Sequence, residues 1–146
     1  MAVFSRLNRW EAAILSYDLM VFDPSAAPMD REEFLAWCDL QNDQTEVFDP
    51  TRTEFSTPGL RSWLEEMLRV FPAMDGPYCS ADRDDDPHLT DYEINRTSIF
   101  ACFAWSKAKS AYNAVMSIAE KHGIAVYEIS DPGGRIWRPG GDGLLC

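Results

Sequence analysis

Residues 98–105 read SIFACFAW, and the expected architecture is built outward from them. Their apolar side chains follow one another almost without interruption, whereas a strand with one wet face alternates apolar and polar residues. Such a run is typical of a central β-strand that is covered on both faces, or on one face and by a neighbouring element. We therefore expect residues 98–105 to form an inner strand of a sheet.

Downstream of this strand, helix and strand signals alternate. Residues 106–122 predict a helix that stops at Gly123, because glycine is common just after a helix C-terminus. Residues 124–130 predict another strand. The turn sequence Asp131-Pro-Gly-Gly134 then leads into a last short strand at 135–138.

Upstream, residues 17–22 (YDLMVF) predict a strand that is followed by two helices. The first helix spans roughly residues 31–41, with Asp30 as its N-cap. The second begins at Pro58, a residue well suited to the first helical position, and runs to Phe71. A polar stretch separates the two helices.

Residues 91–97 complete the series as a strand, so the predicted order is β-α-α-β-β-α-β-β. Without the second helix and the last strand, this is the split β-α-β arrangement. We predict an α+β fold with an antiparallel or mixed sheet of about five strands and helices packed on one face. Residues 16–139 form a single domain in this prediction. An N-terminal extension or short helix (1–15) precedes it, and a frayed tail (140–146) follows.

Charge is the first functional signal. The chain has 146 residues, enough for one core, and 24 Asp and Glu against 13 Lys and Arg, which gives a formal net charge of −11. Such a field repels phosphate backbones and anionic lipid headgroups, so nucleic acids and membranes are not expected partners. The negative charge serves either solubility alone or the recognition of a basic partner.

The four cysteines, Cys38, Cys79, Cys102 and Cys146, have no CxxC spacing. Neither a zinc site nor a disulfide framework is indicated, and reduced thiols in the cytoplasm are the simplest interpretation. No apolar run approaches the roughly 20 residues that span a bilayer.

Sequence motifs of catalysis are missing. There is no glycine-rich phosphate loop before a helix and no GxSxG elbow. His122 ends a predicted helix, where it complements the helix dipole. A pairing of Cys79 with His88 has nothing nearby to activate the thiol. We expect neither an enzyme nor a bound cofactor.

The long loop over residues 72–90 carries the sharpest local feature, Asp82-Arg-Asp84-Asp85-Asp86. Its alternating aspartates resemble the start of a calcium loop, but Pro87 occupies the position that requires glycine. A solvated charge run and a recognition surface are the other interpretations. We predict no metal and a partner-binding surface, flanked by aromatic residues, that consists of Asp75, Tyr78, Asp82, Asp84, Asp85, Asp86, Asp91 and Glu93.

Five segments resemble a group of small, standalone, mostly uncharacterised bacterial proteins that open with the strand SYDLMVF. They are SYDLMVFDPSAAPMDREEFLAWCD (16–39), LRSWLEEMLRVFPAMDGP (60–77), DDDPHLTDYEI (84–94), SIFACFAWSKAKSAY (98–112) and KHGIAVYEIS (121–130). The resemblance covers nearly all of the chain from Ser16 to Ile136. It supplies no catalytic residues.

Some members of this group look like immunity proteins carried beside secreted antibacterial toxins. The resemblance therefore implies a cytoplasmic protein whose partner is a cognate toxin with a basic contact surface. Two other functions stay open: a small metal-dependent enzyme or hydrolase that uses the aspartate loop, and a non-catalytic dimeric regulatory module.

Overall fold

A computed structural model describes residues 16–43, 48–74, 78–79 and 86–140. Within these residues the chain forms three α-helices and five strands. The predicted extension at 1–15 lies outside the described residues, as does nearly all of the tail. The elements in chain order are β1 (Tyr17–Phe22), α1 (Arg31–Asn42), α2 (Pro58–Val70), β2 (Asp91–Ile94), β3 (Ser98–Phe103), α3 (Ala108–His122), β4 (Ala125–Tyr127) and β5 (Ile136–Trp137).

The strands form one open antiparallel sheet in the order β2-β3-β1-β4-β5. Strands β3 and β4 are both antiparallel to β1, so they are parallel to each other, with β1 between them. The crossover β3-α3-β4 is therefore a split β-α-β unit, and the predicted α+β class is confirmed. Strand β3 is an inner strand, as its apolar run indicates.

Both faces of the sheet are covered. Side chains alternate along each strand, and Leu19, Val21 and Val126 point into a core shared with α2 and α3, which we call the two-helix face. Met20 and Phe22 point the other way, into a second core beneath α1, which we call the α1 face. The prediction of helices on one face is right for α2 and α3 and wrong for α1.

One contact between two aromatic rings and one between two sulfur atoms hold α1 against the α1 face of the sheet. Asp30 caps the helix by accepting a hydrogen bond from the Glu33 backbone N at 3.0 Å. Four positions apart, Phe34 and Cys38 then lie on the same side of the helix. The Phe34 ring centroid is 5.0 Å from that of Phe22, and the Cys38 Sγ is 3.8 Å from the Met20 Sδ.

Helices α2 and α3 pack closely at one end. An ideal Cβ built on Gly59 would lie 2.6 Å from the His122 carbonyl oxygen, so the backbone of α2 approaches the end of α3 at a point where only glycine fits. Glu66 of α2 accepts hydrogen bonds from Lys121 and His122 of α3. In the core between them, Trp63 is fully buried and donates to the Val115 carbonyl oxygen at 3.3 Å.

Several strands are shorter than predicted. The segment after Ile94 is a hairpin turn closed by a hydrogen bond from the Asn95 backbone N to the Ser98 carbonyl oxygen. Strand β3 ends at Phe103, and Trp105 begins a single 3₁₀ turn, Trp105–Lys107, that leads into α3.

No helix in the described part of the chain has the length and apolar character needed to cross a bilayer.

Candidate functional site

One end of the sheet gathers the polar groups of greatest interest. Strands β1 and β2 begin there, β3 and β4 end there, and the aspartate-rich loop enters there. We call this region the acidic end, and define it by the residues Tyr17, Asp18, Asp86, Asp91, Cys102, Trp105, Glu128 and Asp131.

A row of three polar side chains crosses the sheet at the acidic end. Cys102 pairs directly with Asp18 on one side and with Asp91 on the other, so all three side chains lie on the α1 face. Both carboxyl groups are nearly inaccessible, since Asp18 is 3% exposed and Asp91 is 6% exposed. Burial of a carboxyl group disfavours its charged form.

Hydrogen bonds partly offset the burial of Asp18. The Ser16 hydroxyl donates to the Asp18 carboxylate at 2.6 Å, and the Asp18 backbone N donates to the Ser130 Oγ at 2.9 Å. Burial nonetheless raises the pKa of Asp18, against the opposing effect of hydrogen bonds from Ser16 and Cys102. Burial, reinforced by the charges of Asp18 and Asp91, also raises the pKa of the Cys102 thiol. A protonated thiol is a poor nucleophile.

The turn after β4 brings further acidic groups to this end. Burial raises the pKa of Tyr17 to about 12, helped by the charges of Glu128 and Asp131 and by Tyr112. Burial likewise raises the pKa of Glu128, although Arg135 lowers it from a distance of 3.7 Å between Nε and Oε2. Burial is thus the main cause of both shifts, and the neighbouring carboxylates add to the shift of Tyr17.

A chain of aromatic rings links the aspartate loop to the opposite side of the acidic end. His88 lies 5.4 Å from Phe71, Phe71 lies 5.1 Å from Phe103, and Phe103 lies 6.5 Å from Tyr17. Tyr17 in turn lies 5.4 Å from Trp105, whose side chain is 50% exposed. Trp and Tyr beside charged groups are the residues most enriched at the energetic centres of protein interfaces.

Of the predicted site residues, Asp86 is the loop aspartate that the structure describes. Its carboxylate accepts a hydrogen bond from the His88 backbone N at 2.9 Å and lies 3.0 Å from the His88 Nδ1, so it orders the turn into β2. Asp91 is buried, which leaves little of it for a partner to touch. Glu93 is half-buried on the α1 face of β2, and Tyr78 packs against the core of the two-helix face. Asp75, Asp82, Asp84 and Asp85 lie outside the described residues.

Other candidate groups have structural partners. The Cys79 Sγ lies 3.2 Å from the Met74 carbonyl oxygen as its hydrogen-bond donor. Phe71 is buried, and the Tyr92 hydroxyl donates to its carbonyl oxygen at 2.7 Å, so both belong to the core. Among the residues that the structure describes, no group of three or more His, Cys, Asp or Glu side chains is arranged to hold a metal ion.

Part of the acidic end is not predicted from the sequence. The pattern places Trp105 in a strand, and no motif marks Asp18, Glu128 or Tyr17. A signal was present in the alternation of β1, where Asp18 occupies an inward position between apolar residues. The exposure of Trp105 depends on where β3 ends, and an apolar run does not mark that point.

The chain matches no protein-family model, and neither a curated protein nor a solved structure shows significant similarity to it.

Proposed function

We propose that this protein is an immunity protein, which binds a cognate antibacterial toxin in the cytoplasm of the producing cell and neutralises it through an acidic surface. The observation that carries the proposal is the convergence, at one end of the sheet, of Asp86, the loop aspartate that the structure describes, with carboxylates from β1, β2 and the turn after β4. Trp105, which is half exposed and lies 5.4 Å from Tyr17 at the same end, supplies an apolar anchor.

The buried and the exposed acids have different roles in this proposal. Asp18 and Asp91 are nearly inaccessible, so they do not touch a partner. Contact falls to the loop aspartates and to Trp105. Toxins that act on nucleic acids or nucleotides often have basic clefts, and a negatively charged ligand reaches such a cleft rapidly by electrostatic steering.

An immunity gene is expected directly downstream of its toxin gene, so the test measures association with the product of the preceding gene, made with its own active site inactivated. A variant with Asp82, Asp84, Asp85 and Asp86 all replaced by Asn keeps the size and polarity of the loop. At position 86 the amide oxygen still accepts from the His88 backbone N, so the turn is preserved. We expect association at low salt to slow by about tenfold or more, while folding stability changes by less than about 0.5 kcal/mol per site.

A matched control removes the same number of charges elsewhere. Glu32, Asp39, Asp43 and Glu54 are all exposed, lie in or near α1 and the following stretch, and are replaced by Gln or Asn. Steering that depends on the acidic end predicts a steeper loss for the loop variant than for the control. Equal salt slopes of the association rate for wild type and loop variant would remove the loop from the interface. Absence of any complex with the toxin would refute the proposed function itself.

A further inference from the structure

A cavity of about 270 Å³ opens between α3 and the edge strand β5. Its lining consists of Asn113, Met116, Ser117 and Glu120 from α3 and Trp137 from β5. None of these residues belongs to the acidic end or to the aspartate loop, so the cavity is a separate feature of the surface.

The sequence explains why these side chains meet. The four helical residues are spaced i, i+3, i+4 and i+7, which places them on one stripe of α3. The buried residues Ala111, Val115 and Ala119 form the neighbouring stripe that faces the core. Trp137 pairs with Val126, whose side chain lies in the core of the two-helix face, so the indole points toward α3.

The size and chemistry of the cavity narrow the choice of ligand. Its volume lies below the roughly 300–1,000 Å³ of pockets for drug-sized molecules and suits a single side chain. The Glu120 carboxylate and the net charge of −11 oppose an anion. The Asn113 amide and the Ser117 hydroxyl would lose hydrogen bonds to water against a purely apolar group.

With anions and purely apolar groups excluded, a cationic group is the ligand that fits the cavity. An indole face attracts a cation placed over it, and a carboxylate pairs with it. Between the two basic side chains, arginine is favoured, because its planar guanidinium stacks on an aromatic ring while its several N–H groups reach carboxylate and amide oxygens.

We propose that the cavity between α3 and β5 binds the guanidinium group of an arginine side chain presented by a basic partner protein. The inference rests on the proposed function for the source of that arginine, and not for the chemistry of the cavity. Trp137 provides the stacking surface, Glu120 the charge, and Asn113 the hydrogen-bond acceptor.

The test uses N-acetyl-arginine-N′-methylamide as the probe, titrated into the ¹⁵N-labelled protein while the indole N–H signals are followed by NMR. We expect a saturable shift of the Trp137 signal. The citrulline analogue has nearly the same shape without the charge, and we expect it to cause no saturable shift. The lysine analogue should bind more weakly than the arginine analogue. Equal binding of citrulline, or of lysine, would overturn the guanidinium assignment.

Two substitutions locate the binding. Glu120→Gln should weaken the probe by about threefold to fivefold, the effect of one solvent-screened ion pair. Trp137→Leu removes its own indole signal, so binding to this variant is followed through the backbone amide signals of Ser117 and Glu120, which should no longer shift saturably. The remaining indole signals report whether the fold is retained. Glu65→Gln removes a carboxylate that is likewise exposed, but on α2, and should leave binding unchanged. A Glu120→Gln variant that binds as well as wild type would overturn the proposal.

Failure of this inference is separable from failure of the proposed function. Saturable binding of the probe in a protein that forms no toxin complex would retain the cavity and reject the immunity function. A toxin complex that is unaffected by Glu120→Gln and Trp137→Leu, together with no response to the probe, would reject the arginine site and retain the immunity function.

Discussion

Asp18 is an acid on the central strand of the sheet; the residue is 3% exposed, and burial raises the pKa of its carboxyl group. The folded protein therefore keeps this proton up to a higher pH than the unfolded chain does. Between the two pKa values the native state binds more protons, so this group makes stability fall as the pH rises through that interval. Above the pKa of Asp18 in the folded state this loss of stability has its full value, and below the pKa of about 4 in the unfolded chain there is no loss.

Replacing Asp18 with Asn removes this titration and keeps an oxygen to accept from Ser16. We expect Asp18→Asn to unfold at a higher denaturant concentration than wild type at pH 7, with the difference shrinking as the pH is lowered toward 4. Urea unfolding at a series of pH values measures it. Glu32→Gln, an exposed acid in α1, is the control and should show little pH-dependent difference. A constant loss of stability in Asp18→Asn at every pH would show that hydrogen bonding outweighs burial.

The positions of some residues can be predicted from the sequence, and those of others cannot. Trp63 and Phe103 are buried, which is the expected position of large apolar rings in periodic segments. The placement of Asp18 beside Cys102 was not predicted. It depends on strand register, which is set by pairings between segments about 80 residues apart.

The contact between α2 and α3 depends on Gly59. In an exposed helix, replacing Gly with Ala stabilises by about 1 kcal/mol. Here the new Cβ would meet the His122 carbonyl oxygen at 2.6 Å and the Ile124 Cγ2 at 2.9 Å, so the helices must separate. We expect Gly59→Ala to lower the free energy of unfolding by about 1–3 kcal/mol in urea denaturation.

Glu65→Ala is the control for this prediction, since it changes an exposed position of α2 and should shift stability by no more than about 0.5 kcal/mol. Higher stability in Gly59→Ala than in wild type would mean that the two helices are free to move apart without loss of packing.

Elements with local signals were predictable, and their arrangement was less so. Asp30, Pro58 and Gly123 mark helix ends as expected, with Gly123 in the left-handed conformation at a φ of 69°. The helical pattern of α1 identifies its apolar side and does not say which face of the sheet that side covers. The apolar run of β3 indicated cover on both faces, and α1 supplies the second cover.

For the whole molecule, the net charge of −11 has a thermodynamic consequence. Like charges repel more strongly in the compact state than in the expanded chain, so screening them favours folding. Raising sodium chloride from about 0.01 M to about 0.15 M shortens the Debye length from about 30 Å to about 8 Å. We expect the unfolding temperature to rise across this range.

The variant with four asparagines in the aspartate loop tests the cause, because it carries fewer like charges. Its unfolding temperature should rise less with salt than that of wild type. A fall in stability with added salt would show that attractive ion pairs, such as those of Glu66 with Lys121 and His122, outweigh the repulsion.

The position of β1 has a further consequence during synthesis. This strand is among the earliest parts of the domain to leave the ribosome, yet its two sheet neighbours are β3 and β4, which begin at Ser98 and Ala125. A nascent chain that stops before Ser98 offers β1 neither of these strands, so the backbone hydrogen-bonding groups on both edges of β1 have no sheet partner until most of the chain exists. Hydrophobic strands whose sheet neighbours have not yet been synthesised are prone to misassociation and to binding by chaperones. The timing of translation over the second half of the message therefore bears on how much active protein a cell obtains.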